Sequence, residues 1–317
     1  MMKDETVTAG NTSICISWAD DDPENRIGLL RAGRYTSPNK VFAFVVAIPL
    51  TAAFFGLMFF VFSPIEQLRW LAAPFTRRSN LWTIIPTLFF FFWCFATLFI
   101  KSLKVRFQAR ALDLAAVPQQ PDFVLTQATA RAVLNRLYGI VDHPRHFILL
   151  NRIERALSNL QNIGGVSDVS TILTTQADND RDQISSSYTL VSGLVWSIPV
   201  LGFIGTVLGL SQAIGTFGRT LQTAGNLADI KSNLQGVTGG LATAFETTLV
   251  ALVCALIIQL YINYLQSKED ELMDECNDYC HAHVTSKLRL VEHLPEQPAT
   301  VDKRLAVQAV EADRSIS

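Results

Sequence analysis

Among the side chains that carry oxygen into otherwise apolar stretches of sequence, Thr206, Thr243, Glu246 and Thr247 are the candidates for chemistry. A hydroxyl inside an apolar helix either bonds a carbonyl of its own helix and helps packing, or faces water and helps pass a cation or proton. Thr243 and Thr247 lie one helical turn apart, and the same stripe continues to Ala251. If the turn between the two helices centres near residue 225, Thr206 lies 19 residues before it and Thr243 18 after it. The two hydroxyls are then expected at nearly one depth, with Glu246 and Thr247 a turn deeper, and together they would line a polar path. An acid at the centre of a bilayer costs about 2.5–3.5 kcal/mol, so Glu246 needs a reason to be there. Three readings stay open for it: a proton or cation site, a carboxylate wetted from a nearby outer surface, or a structural hydrogen bond to threonines of a neighbouring helix.

The elements that must hold these groups follow from where charge is missing. Of the 317 residues, 49% are hydrophobic and only 17% charged, against a usual level near ~25%, which argues for a membrane protein and against an ordinary soluble enzyme. A net charge of −2 provides no field for nucleic acid. No charge falls between Lys40 and Glu66 or between Arg78 and Lys101, and none in 183–218; between Lys231 and Lys268 the only one is Glu246. A hydrocarbon core of ~30 Å takes about 20 apolar residues as a helix, which alone satisfies its own backbone in lipid. Four spans are expected, at 41–62, 81–101, 189–212 and 240–265, giving an all-α polytopic membrane protein. The last two windows exceed one bilayer, so these helices should project beyond it.

Residues 1–40 are polar, include Asp20, Asp21 and Asp22, and lack the apolar core of a signal peptide. Arg26, Arg31, Arg34 and Lys40 precede span 1, and Lys101, Lys104, Arg106 and Arg110 follow span 2. The opposite loops carry Arg69, Arg77 and Arg78, then Arg219 and Lys231. This bias favours cytoplasmic termini and a cytoplasmic 102–188 segment. The expected organisation is a cytoplasmic N-terminal segment (1–40), two outer spans (41–101), a cytoplasmic helical insert (102–188), two inner pore-lining spans (189–265), a helical extension (266–294) and a flexible tail (295–317).

In the insert, Leu150, Ile153, Leu157 and Leu160 form one apolar stripe that Gly164–Gly165 should end, and 122–140 carries a similar stripe through Phe123, Ala130, Val133, Leu134 and Leu137. Arg152, Glu154 and Arg155 lie off the first stripe and read as a solvated face, with a partner-contact face as the alternative. Cys276, Cys280 and His283 share a helical face, but their spacing is not that of a usual zinc site. No phosphate-binding loop, Ser-His-Asp set or nucleotide motif is present, so neither an enzyme nor a cofactor is expected.

The two pairs of spans differ in chemistry. Spans 1 and 2 are rich in phenylalanine, including Phe89–Phe92, which suits lipid contact more than close helix packing. Spans 3 and 4 are built from Gly, Ala, Ser and Thr; Gly202, Gly205 and Gly209 share one face and Gly240 opens span 4, so another backbone can approach closely. An inner layer screened by an outer one is expected, and several copies side by side would make a ring.

Ile198-Pro199-Val-Leu-Gly202-Phe-Ile-Gly205-Thr206-Val-Leu-Gly209, followed by Gly240-Leu-Ala-Thr243-Ala, resembles the paired inner helices of the MotA/TolQ/ExbB proton-channel family. The resemblance covers about 185–270; its pore motif is nearest the TolQ/ExbB side, whereas four spans with an insert between the second and third are like MotA. It implies a pentameric ring around a single-span partner of the ExbD/TolR/MotB kind, whose membrane aspartate carries the proton. Thr206 and Thr243 then take the pore-lining threonine roles. Glu246 departs from the TolQ/ExbB pattern and inherits no role. Two other functions are compatible with the residues: a non-conducting oligomeric scaffold or sensor, and a small transporter using Glu246.

Overall fold

The computed structural model describes Trp18, Glu24, Gly33 and residues 35–289, apart from 67, 68, 115, 119, 121, 159, 161–165 and 224–226. The side chains of 69–71 and 219–233 are likewise outside the description, as are the expected helix end at Gly164–Gly165 and the tail at 295–317. The described residues form eight α-helices and no β-strand: α1 (Lys40–Leu57), α2 (Arg69–Thr76), α3 (Leu81–Ala109), α4 (Gln127–Ile140), α5 (Ile148–Ser158), α6 (Val166–Ser187), α7 (Thr189–Thr223) and α8 (Leu227–Cys280). Four helical stretches are long and apolar enough to cross a membrane: Lys40–Phe62, Leu81–Ala109, Val166–Gly218 and Leu234–Thr285. The last two run well past the thickness of a bilayer, because α6 leads into α7 through Tyr188 and α8 continues beyond its apolar part.

Local chemistry sets the helix ends. Asn39 starts α1, its Oδ1 accepting from the Val41 N–H at 3.0 Å. Thr126 starts α4 in a reciprocal cap with Thr129, whose hydroxyl accepts from the Thr126 N–H at 2.7 Å. Phe123 therefore precedes this helix, and only the later part of the expected stripe is helical. Gln108 of α3 starts α5 from outside: its Oε1 accepts from the Ile148 N–H at 3.0 Å, and its amide donates to the His146 carbonyl at 2.8 Å.

The membrane part is layered α1, α3, then α7 with α8. Aromatic side chains join the first two layers: Phe44 meets Phe89 and Trp93 edge-on, and Phe54 packs against Phe92. Edge-to-face rings are favourable contacts, so these phenylalanines serve helix packing as well as lipid exposure. This corrects the reading of span 2 as a loosely packed lipid-facing helix. Half of its most apolar window is buried, more than in any of the other three spans, because Ile84, Leu88, Cys94 and Leu98 turn inward.

Beyond the membrane part, α4, α5, α6 and the end of α8 enclose one apolar core that includes Leu137, Phe147, Leu150, Ile153 and Met273. Pro118 and Leu125 both meet Lys287 past the end of α8: its Nζ donates to the Pro118 carbonyl at 3.2 Å, and its carbonyl accepts from the Leu125 N–H at 2.8 Å. Charges lie inside this core, and this overturns part of the solvated-face reading. Arg152 is 1% exposed; its Nε donates to Asp180 at 2.8 Å and its Nη1 to Asn277 at 2.6 Å. Glu154 is 4% exposed and accepts from Tyr138 and Arg145. Arg155 alone of the three is exposed. The stripe is wider than its apolar residues suggest because Asp180 of α6 and Asn277 of α8 cover Arg152, while Tyr138 of α4 and Arg145 cover Glu154.

Two more buried pairs lie where α3 leaves the apolar layer. Lys101 meets Glu269 at 2.7 Å, with the Tyr188 hydroxyl donating to the same carboxylate at 2.6 Å, and Lys104 meets Glu24 at 2.6 Å. Each ties together elements distant in sequence. A buried charge left without its partner is costly, so Lys101–Glu269 fixes α3 against α8 and Lys104–Glu24 holds the segment before α1 against α3.

Candidate functional site

The closest helix contact in the molecule is between α7 and α8, and glycine makes it possible. A Cβ at Gly209 would stand 2.7 Å from the Gly240 carbonyl oxygen and 2.8 Å from the Ala244 nitrogen. At Gly205 it would stand 2.4 Å from the Thr247 hydroxyl, and at Gly202 2.5 Å from the Ala251 Cβ. Gly240 meets the backbone of Ala213 and Gly209 in return. The two backbones touch along this face, as small residues in membrane helices allow.

These contacts also set the register. Gly205 lies against Thr247, so Thr206 is level with Glu246–Thr247 and not with Thr243. Thr243 sits about one turn, roughly 5 Å, nearer the hairpin end, beside Gly209. The expectation of equal depth for Thr206 and Thr243 is corrected by this offset, because the antiparallel pairing is displaced from one centred on residue 225.

The polar groups divide into two sets. Thr243 and Thr247 are buried, each bonding back to its own helix, Thr243 to the Gly239 carbonyl and Thr247 to the carbonyls of Thr243 and Ala244, all at 3.1 Å. Thr243 also meets the Ser79 hydroxyl at 3.1 Å. Thr206 is half-buried and donates to the Phe203 carbonyl of α7 at 2.6 Å. The structure therefore brings Thr243, Thr247 and Glu246 to one place, with Thr206 on the neighbouring helix.

Glu246 is held by the segment that leads into α3. Its Oε1 lies 3.3 Å from Arg77 Nη1, and its Oε2 accepts from Asn80 Nδ2 at 2.7 Å. Asn80 is fully buried and also donates to the Pro74 carbonyl at 3.3 Å, while its Oδ1 accepts from Ser79 at 3.0 Å. Asn80 precedes the first residue of α3, yet its side chain makes no cap to that helix and is free for Glu246. Neither a threonine nor solvent alone satisfies the carboxylate; an arginine and an asparagine from another element do. Arg77, Ser79 and Asn80 were not singled out from the sequence. The available signal was the polar run Arg77-Arg78-Ser79-Asn80 immediately before an apolar helix.

Next to this cluster a polar cleft of about 580 Å³ opens at the hairpin end, lined by Arg77, Ser79, Gln212, Gln235, Thr238 and Thr243 among others. Thr243 lies in its wall, so the cleft reaches that residue from the hairpin end. Thr248, also not anticipated, joins the two helices directly: its hydroxyl donates to the Gly202 carbonyl at 3.1 Å.

Residues 144–278 match the MotA/TolQ/ExbB proton channel family. This part of the chain is similar to the members of that family. The matched region contains α5 to α8 nearly whole and includes every glycine and threonine of the α7–α8 contact. A 79-residue stretch is 33% identical to the Putative biopolymer transport protein ExbB-like 3 of Synechocystis sp., covering 25% of this chain and 34% of that protein. The chain thus spans about a third of the length of the curated relative it matches. No solved structure matches it.

At the far end of α8, Cys276 and Cys280 are buried in the helical core. Burial pushes the Cys276 thiol up to about 12 and the Cys280 thiol up to about 11. His283 packs against the Tyr279 ring, with centroids 4.7 Å apart. Among the described residues no three His, Cys, Asp or Glu side chains gather in a metal-binding group.

Proposed function

We propose that this chain is the channel subunit of a motor driven by the proton-motive force, assembled as a pentamer around a single-span partner whose membrane aspartate carries the proton. The observation that carries the reading is the family match over 144–278 together with the glycine-threonine contact of α7 and α8 inside it. Thr206, Thr243 and Thr247 are read as the hydroxyls along the proton pathway, reached by water from the polar cleft. The packing roles fall to Gly202, Gly205, Gly209 and Gly240, which bring the two helices to backbone contact. Glu246 belongs to the pathway as a fixed charge level with Thr206, held by Arg77 and Asn80, while the moving proton resides on the partner.

Exposed apolar side chains support assembly. Phe203, Val207, Phe245, Leu249, Leu256 and Leu260 stand out from α7 and α8 on faces that α1 and α3 do not cover. Neighbouring copies would bury these faces and create the interior that one chain lacks. The termini and the helical domain are read as cytoplasmic from the Lys and Arg bias, and the membrane as a bacterial inner membrane from the family similarity.

Co-expression with a single-span protein bearing a membrane aspartate, followed by native mass spectrometry and a dye assay of proton entry into vesicles, tests this reading. The expected result is a five-to-two complex that admits protons. Thr243→Val and Thr247→Val should assemble normally and reduce flux to background. A monomer, or full flux in both variants, would remove the assignment.

A further inference from the structure

We propose that the place where α3 emerges from the membrane beside α8 binds a zwitterionic aminophospholipid, of the phosphatidylethanolamine class, with one acyl chain in the adjoining groove between α1 and α3. Neither the channel reading nor the family match enters this inference.

The acyl-chain groove is about 370 Å³ and wholly apolar, lined by Phe42, Val46 and Leu50 of α1 and by Phe95, Phe99 and Leu103 of α3 among others. Those side chains, apart from Leu103 just past its end, occupy the half of each span nearest the helical domain, within the expected 20-residue crossing. No polar atom in the lining competes for water, and the hydrocarbon of that leaflet surrounds it.

The headgroup cleft lies on the adjacent face of α3. It is about 300 Å³, and its lining includes Ser102 and Arg106 of α3 with Tyr264, Lys268, Glu271 and Glu275 of α8. Arg106 follows Phe99 by seven residues, roughly 10 Å along the helix axis toward the domain. Counting about 20 residues inward from Leu81 ends the hydrocarbon near Lys101, so Arg106 stands in the headgroup layer. Exposed Tyr264 is at the same boundary, as amphipathic rings prefer.

The charges in the cleft specify the headgroup. Lys268 and Glu271 pair with each other at 2.5 Å. Arg106 and Glu275 are both exposed, and neither has an ion-pair partner among the described residues. They line one cleft without meeting each other. A phosphate with an ammonium two carbons away supplies both counter-charges: Arg106 takes the phosphate, which a guanidinium binds through two N–H groups, and Glu275 takes the amine. A phosphatidylglycerol headgroup would satisfy Arg106 and leave Glu275 facing a hydroxyl.

The test uses the full chain extracted in mild detergent and given an equimolar mixture of phosphatidylethanolamine and phosphatidylglycerol, with retained lipid read by native mass spectrometry. Phosphatidylethanolamine should be preferred by about tenfold, the effect of one charge-assisted contact. Arg106→Gln should lose both lipids, Glu275→Gln should keep phospholipid but lose the preference, and Val46→Trp should weaken retention by filling the groove. Equal binding of the two lipids by the unmodified chain, which needs no variant to fold, would overturn the proposal. So would disulfide-linked dimers formed in membranes by Phe99→Cys, since a second copy and not a lipid would then cover the groove.

Discussion

Replacing Gly209 by alanine should destabilise the α7–α8 pair, while the same change at Gly193 should not. The added Cβ at 209 would sit 2.7 Å from the Gly240 oxygen and 2.8 Å from the Ala244 nitrogen, whereas at Gly193 nothing lies within 4 Å. Non-bonded heavy atoms settle at about 3.5–4.0 Å, and both obstacles at 209 are backbone, so no side chain can rotate away. The helices must separate by roughly 0.5–1 Å, a gap that forfeits a quarter to a half of each contact's dispersion energy. Overpacking of this kind costs about 1–3 kcal/mol. Alanine also relieves the entropic penalty of a helical glycine, about 0.5–1 kcal/mol, but this gain is common to both sites and cancels in their difference. Unfolding in mixed micelles, followed by tryptophan fluorescence, gives that difference directly. If Gly209→Ala and Gly193→Ala agree to within about 0.5 kcal/mol, the usual scatter for an unstrained site, the close-contact reasoning is refuted.

Three further outcomes are expected. Glu246→Leu should destabilise the protein by about 1–3 kcal/mol, since fully buried Asn80 loses the shorter of its two acceptors and keeps only the Pro74 carbonyl, while Glu246→Gln, which keeps a carbonyl oxygen, should lose less; thermal unfolding of the two variants separates them. Arg152→Met should cost about 3–5 kcal/mol by leaving Asp180 buried and unpaired, and adding Asp180→Leu should recover most of it in chemical denaturation. Thr248→Val should cost only about 0.6 kcal/mol, the average for an interhelical side-chain bond in a membrane, because the hydroxyl has a second acceptor in the Ala244 carbonyl; a steric-trapping measurement would detect a larger loss.

The four spans and the small-residue face of α7 were legible in the sequence for a local reason. Whether a segment enters lipid depends on its own charges and length, and the gaps after Lys40, Arg78 and Asp182, with the one after Lys231 broken only by Glu246, mark the four crossings without any knowledge of neighbours. Gly202, Gly205 and Gly209 announce a close contact because their spacing alone puts them on one face. The family motif lies on that same face, so its recognition and its packing come from the same residues.

What the face touches was decided only in three dimensions. The pairing of Gly205 with Thr247 places Thr206 level with Glu246, an offset that no count from a loop midpoint can supply, because the register depends on which side chains interlock. Glu246 finds Asn80 across 166 positions of sequence, and Arg152 finds Asp180 and Asn277 from two different helices. An isolated charge in a sequence shows that a partner is needed but not which one. Solvation cost is a property of the segment, and it wrote the spans into the sequence. Partner choice is a property of packed surfaces, and it exists only once α3, α6 and α8 have met.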